Sequence, residues 1–235
     1  IYNTNMSSIN PFLMGLLKAL ENNAIDEDDT ISVLRETYVL LVRRKVTKLP
    51  VTKYDTFFPA LIERIINEPN KVKAFQTQVQ TEQLWVPDQV FEEAFITKEI
   101  YNSRELNFSR LILQEIDKEL QTFGELPDYS TIHSIEHILP QTLDEHWKNY
   151  LGDDATNINL PTIINTIGNL SLNSGSANSS FGQKPFVEKQ IAYTDACALA
   201  RDIKQRSETW NIASIKKRSS YLSKVALKVW KWKII

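Results

Sequence analysis

A carboxylate beside an imidazole, followed by two carboxamides, is a set of parts for hydrolysing a phosphodiester. In this chain the parts are Glu136, His137, Asn169 and Asn178. They lie in the blocks Ile135-Glu136-His137-Ile138-Leu139-Pro140-Gln141, Gly168-Asn169-Leu170 and Asn178-Ser179-Ser180-Phe181. One carboxylate can hold a divalent cation, one imidazole can take a proton from water, and one carboxamide can complete the cation's shell. The same stretch also spells His133-Ser134-Ile135-Glu136-His137, the H-x-x-E-H pattern of zinc proteases. The two chemistries demand different backbones.

The protease needs a helix, with both histidines one turn apart on a shared face. Thr131, Ile132, Ile135 and Ile138 are β-branched, and Pro140 disfavours helix at the residue before it. On a strand, His133 and His137 would share a face but lie about 13 Å apart by the usual rise, too far to share an ion. The residues therefore favour a strand over 131–139, a helix near 144–150, a second short strand over 169–172 and a helix over 178–193. That order builds a ββα-metal finger of the His-Asn-Asn type. Its first strand carries Glu136 and His137, a loop and second strand carry Asn169, and the helix carries Asn178. The 41 residues from His137 to Asn178, with Gly152 and Gly168 among them, can bring the chain back to its start. A neutral amide oxygen at Asn178 suits hard Mg²⁺ or Mn²⁺ better than zinc.

Elsewhere the periodicity is helical. Asn10-Pro11 predicts an N-cap and first helical position ahead of Phe12, Leu13, Leu16, Leu17 and Leu20. Asp28 and Asp29 precede Ile31, Leu34, Tyr38, Leu41 and Val42, and this segment ends in Arg43-Arg44-Lys45, which suits the helix dipole. Further helices are predicted over 57–66, 87–98, 103–121, 195–206 and 212–232. Gly124-Glu125-Leu126-Pro127-Asp128 is the predicted hinge, dividing a helical region, 1–125, from the finger domain, 126–235. The expected fold class is mainly α with a small β component.

Composition narrows the setting. With 42% hydrophobic residues in 235 the chain can bury a real core. A single cysteine, Cys197, excludes an internal disulfide or a Cys-rich zinc site, and suits the reducing cytoplasm. No apolar run approaches the roughly 18 residues of a membrane span. The chain begins at Ile1 with its first methionine at Met6, which predicts a piece of a longer protein. Net charge is only −2, but from Lys184 onward there are 12 Lys/Arg against 4 Asp/Glu. Such asymmetry lets one face approach phosphates, though a solvated basic helix explains the charge equally well. Lys184 and Lys189, and Lys216, Lys217 and Arg218 on the final helix, are the candidate phosphate contacts.

The runs IEHILPQ, TIGNLSL and ANSSFGQKPFVEK, in that order, resemble the C-terminal HNH-type (His-Me finger) nuclease domain of GmrSD-like modification-dependent restriction endonucleases. Ile215, Arg218, Leu222 and Trp230 stand where that family has a closing Ile…Arg…Leu…Trp helix. Leu34–Arg44 followed by Asn67 is similar to the helical segment that precedes the nuclease. The resemblance implies that His137 is the general base, Glu136 and Asn178 are metal ligands for Mg²⁺ or Mn²⁺, and Asn169 braces the finger. It implies DNA as substrate, a role in bacterial defence against foreign, modified DNA, and an N-terminal nucleotide-hydrolysing sensor domain as partner. A finger that binds DNA without cutting it remains the alternative, with the zinc protease behind it.

Overall fold

Short-range chemistry sets the helix boundaries in the first 91 residues. The computed structural model describes residues 1–4, 6–122, 124–175, 181–193, 197–206 and 209–232. Here α1 spans Asn10–Glu21, α2 Glu27–Val46, α3 Tyr54–Ile65 and α4 Lys71–Thr81. Pro11 occupies the first turn of α1, but Asn10 is itself helical and Ile9 takes the cap position without a side-chain bond. At α2 the cap is Asp26, whose carboxylate accepts from the Asp29 N–H at 2.7 Å. Glu27, Asp28 and Asp29 then lie in the first turn, against the positive end of the helix.

The sequence reading has no counterpart for α4. Its apolar residues Val72, Phe75 and Val79 do recur at helical spacing, and Asn70 caps it by accepting from Lys73 N–H. Gln, Lys and Thr between them dilute the periodic signal. Phe12 of α1 packs its ring on Phe58 of α3 and Phe75 of α4. The basic end of α2 is no surface patch. Arg43 is fully buried, donating to the Trp230 and Val86 carbonyls and lying over the Trp85 and Phe91 rings.

The chain divides into two compact units, 1–91 with 230–235 and 92–229. The division falls inside α5 (Asp88–Thr97), not at the hinge expected between Gly124 and Asp128. The reason is α6 (Leu106–Leu120), whose Phe108, Ile112, Leu113 and Ile116 are buried. They pack with the second unit's strand β2 (Leu170–Asn173) and final helix α11 (Ile212–Val229), so α6 cannot be parted from them cheaply. Between these come β1 (Ser134–His137), α7 (Glu145–Leu151), α8 (Leu160–Ile164), α9 (Phe186–Ala192) and α10 (Ala198–Arg206). The described fold is mainly helical with one two-stranded antiparallel sheet, in which Glu136 pairs with Ser171 and His137 with Leu170.

Two elements are shorter than the sequence implies. β1 starts at Ser134 because the preceding backbone turns: the Thr131 and Ile132 N–H groups both donate to the Asp128 carbonyl. The helix expected over 178–193 is interrupted, since Gly182 has φ +45° and Pro185 forms the N-cap of α9. A single turn over Ile167–Asn169 leads into β2. It requires glycine at 168, because a Cβ there would overlap the Ile215 carbonyl and the Ser219 hydroxyl of α11. Among the described residues no helix is long and apolar enough to cross a membrane.

Candidate functional site

Adjacent residues on a strand point to opposite faces, and that alternation separates Glu136 from His137. Glu136 faces α9, where its carboxylate meets the Lys189 ammonium at 2.8 Å, the two side chains 5% and 0% exposed. The same ammonium donates to the carbonyls of His137 (3.0 Å) and Ile138 (3.2 Å). Three N–H donors thus serve three acceptors, and none remains for a ligand. Burial raises the Glu136 pKa and lowers that of Lys189, while each charge restrains the shift of the other. Tyr193 lies within electrostatic reach of the carboxylate, and among the described residues its hydroxyl has no partner of ordinary geometry. Its burial, then the Glu136 charge, push its pKa well above the phenolic range.

His137 is half-buried on the other face. Its Nε2 lies 3.1 Å from Asn165 Oδ1, and the Tyr101 ring meets it edge-on at 4.5 Å between centroids. The Asn165 amide is oriented by its own donors. Its Nδ2 donates to the Pro161 carbonyl at 3.0 Å and to Glu99 Oε1 at 3.3 Å, leaving Oδ1 to face the imidazole. An amide oxygen can only accept, so Nε2 carries the hydrogen and Nδ1 keeps its lone pair. The His137 pKa is lowered to about 4, first by burial and then by the Lys189 charge, against the opposing pull of Asn165. The ring is therefore neutral at neutral pH, in the form that accepts a proton.

Asn169 is fully buried and saturated. Its Nδ2 donates to the Leu139 and Ile164 carbonyls, and its Oδ1 accepts from Leu139 N–H and Trp210 Nε1. Its backbone carbonyl accepts from Ile138 N–H. The side chain thus ties the end of β1, the end of α8 and the start of β2 together, directly behind His137. It makes no contact that would need a substrate.

The candidate DNA contacts separate by burial. Lys184, Lys216 and Lys217 are exposed. Lys189 and Arg218 are not, and their expected role on DNA is corrected. Lys189 is used up as described. Arg218 donates to the Asp202 carboxylate (2.9 Å) and to the carbonyls of Gly168, Leu170 and Leu199. A guanidinium so engaged holds α10, α11 and the β2 entry together and cannot reach a phosphate.

Asn178 lies outside the described residues. Among the described residues no three His, Cys, Asp or Glu side chains converge as a metal site. Glu136, the expected carboxylate ligand, is already neutralised by an ammonium at 2.8 Å, which would repel an incoming cation. The described donors as placed do not fit a divalent ion. The protease geometry is also missing, because Glu136 and His137 sit on a strand. His133 lies before that strand, with Nδ1 bonded to the Ser130 carbonyl at 2.8 Å.

Asn165, Glu99 and Tyr101 were not anticipated from the sequence. Asn165 did carry a local signal, a lone amide between Ile163-Ile164 and Ile167, four residues before Asn169. Glu99 and Tyr101 carry none, since only the folded chain brings them to His137. Their link is again Asn165, whose backbone carbonyl accepts from the Ile100 and Tyr101 N–H groups.

A search of curated proteins found no match. A family model, described as GmrSD restriction endonucleases, C-terminal domain, matches residues 85–225, which include β1, β2, α9 and most of α11. The chain belongs to the family of GmrSD restriction endonuclease C-terminal domains.

Proposed function

We propose that the 92–229 unit is an HNH-type, His-Me finger nuclease core that hydrolyses DNA phosphodiesters with His137 as general base. The observation that carries this reading is the state of His137. Its imidazole is kept neutral by burial, with Nε2 against the Asn165 amide oxygen, at the end of a strand whose partner strand leads toward α9. Nδ1 takes a proton from water, the oxygen so freed attacks phosphorus, and the 3′ oxygen leaves, taking its proton from a second water, while His137 returns its own to solvent. The ends produced are 5′-phosphate and 3′-hydroxyl. Asn169 keeps the strand end and the β2 entry in register, so that the base does not drift. Exposed Lys184, Lys216 and Lys217 are the groups available to neutralise phosphate charge. Family membership supports DNA as substrate and a role in bacterial restriction of foreign, modified DNA. It also supports a nucleotide-hydrolysing sensor domain as the natural partner.

The Glu136–Lys189 pair favours a second reading, a finger that binds DNA without cutting it. Nicking of supercoiled plasmid separates the two. The wild-type protein converts supercoiled to open-circular DNA, and His137→Ala slows this by roughly 10²- to 10⁴-fold while keeping its fold and DNA affinity. Wild-type-like nicking by folded His137→Ala would remove His137 from the reaction. A wild-type protein that binds and never nicks would establish the second reading.

A further inference from the structure

We infer that Asn165 is the positioning residue for His137, selecting the Nε2–H tautomer and so making Nδ1 the basic atom. The inference rests on His137 being the base and adds to it which residue sets its chemistry. Neutral imidazole has two tautomers, and the one that persists is chosen by the partner of the other nitrogen. Here that partner is an amide oxygen at 3.1 Å. A free asparagine could rotate its amide and offer the imidazole a donor instead, which would invert the tautomer. This one cannot do so without loss, because its Nδ2 is held by the Pro161 carbonyl and by Glu99. Gln141 Nε2 also donates to the same Oδ1 at 3.3 Å, a second bond that only the oxygen can accept. The position of Oδ1 is set three times over.

Asn165 also shapes the rest of the imidazole's surroundings. Its backbone carbonyl takes both the Ile100 and Tyr101 N–H groups, at 2.9 and 3.1 Å. That places the Tyr101 ring edge-on against His137, limiting the ring's freedom to turn about its own bond to Cβ. One residue therefore fixes hydrogen position through its side chain and ring orientation through its backbone. Replacing the side chain leaves the backbone contacts available, so the two effects can be parted by mutation.

The test uses the ¹⁵N shifts of the His137 imidazole, identified by comparison with His137→Ala, together with kcat and KM for plasmid nicking. Wild type is expected to show Nε2 as the protonated nitrogen. Asn165→Leu, close in shape and without an acceptor, should give a mixture of tautomers. Its kcat should fall on the order of 10- to 100-fold at unchanged KM, since DNA contacts are untouched. Asn165→Asp combined with Glu99→Gln, which sets a donor rather than a like charge against the second oxygen, keeps an acceptor on the imidazole and should restore the Nε2–H tautomer. A wild-type spectrum with the hydrogen on Nδ1 would overturn the inference even if no variant folds. So would Asn165→Leu with an unchanged tautomer and unchanged kcat. The spectra do not depend on turnover, so failure of His137 as base, read from His137→Ala, is distinguishable from failure of Asn165 as its positioning residue.

Discussion

His137 and Glu136 share a peptide bond and little else. His137 is neutral because burial and the Lys189 charge lower its pKa to about 4 from the usual 6.5. Between those values the unfolded chain binds a proton there and the folded chain does not. Stability from this residue is therefore complete above pH 6.5 and lost as pH falls toward 4. Two outcomes are expected. The His137 ring resonances should titrate near pH 4, and the thermal midpoint should fall less between pH 6.5 and 4.5 in His137→Gln than in wild type. An imidazole that titrates near 6.5 would mean that the ring is solvated. Glu136 raises a separate question, that of the ion. Family resemblance implies Mg²⁺ or Mn²⁺, yet an ion at Glu136 requires Lys189 to withdraw first. If Lys189 does withdraw and the family's ion is used, EDTA stops nicking and Mg²⁺ or Mn²⁺ restores it. Undiminished activity in EDTA would leave the Glu136–Lys189 pair as a purely structural bond.

At the scale of elements, α11 carries two kinds of cation on one turn. Lys216 and Lys217 point to solvent, whereas Arg218 points inward to Asp202 and three backbone carbonyls. Replacing Lys216 and Lys217 together with Ala should weaken DNA binding and reduce the salt slope by up to about two counterions, leaving thermal stability near wild type. Arg218→Ala should act in the opposite manner. It breaks the ion pair with half-buried Asp202 and takes the donor from three carbonyls, at a cost of about 3–5 kcal/mol, and the loss appears in the melting temperature rather than in the salt slope. If the double lysine variant binds DNA with unaltered affinity and slope, α11 only closes the core, and Lys184 becomes the main phosphate contact.

For the chain as a whole, the location of α6 decides which fragments can fold. It buries Phe108, Ile112, Leu113 and Ile116 within the 92–229 unit. Each buried side chain of this size is worth about 1.5–3 kcal/mol, and together they match most of the 5–15 kcal/mol that typically holds a domain together. A fragment 126–235, cut at the Gly124–Asp128 hinge, is expected to lack a cooperative melting transition. A fragment 85–229, which covers the unit and the start of the family match, should keep one. Circular dichroism melts of the two compare them directly. A cooperative 126–235 fragment would move the boundary back to the glycine-proline segment.

Local physics was readable from the residues alone. β-branched Ile135 and Pro140 exclude helix at Glu136-His137, helical spacing marks α1, α2, α6 and α11, and three motif blocks in order point to the family that the match identifies. Sign and spacing of charge marked the basic tail as well, but not which cations reach water. That was decided by packing: Lys189 and Arg218 look like Lys184 and Lys216 in a string of letters, and only the fold surrounds them with carbonyls and carboxylates. The same holds for the partners of His137. Asn165 and Tyr101 reach the imidazole from 28 and 36 residues away, through contacts that no periodicity encodes. A sequence states which groups are present and which backbone they prefer. Burial and the choice of hydrogen-bond partner are properties of the assembled chain, and they determine which of those groups remains free to act.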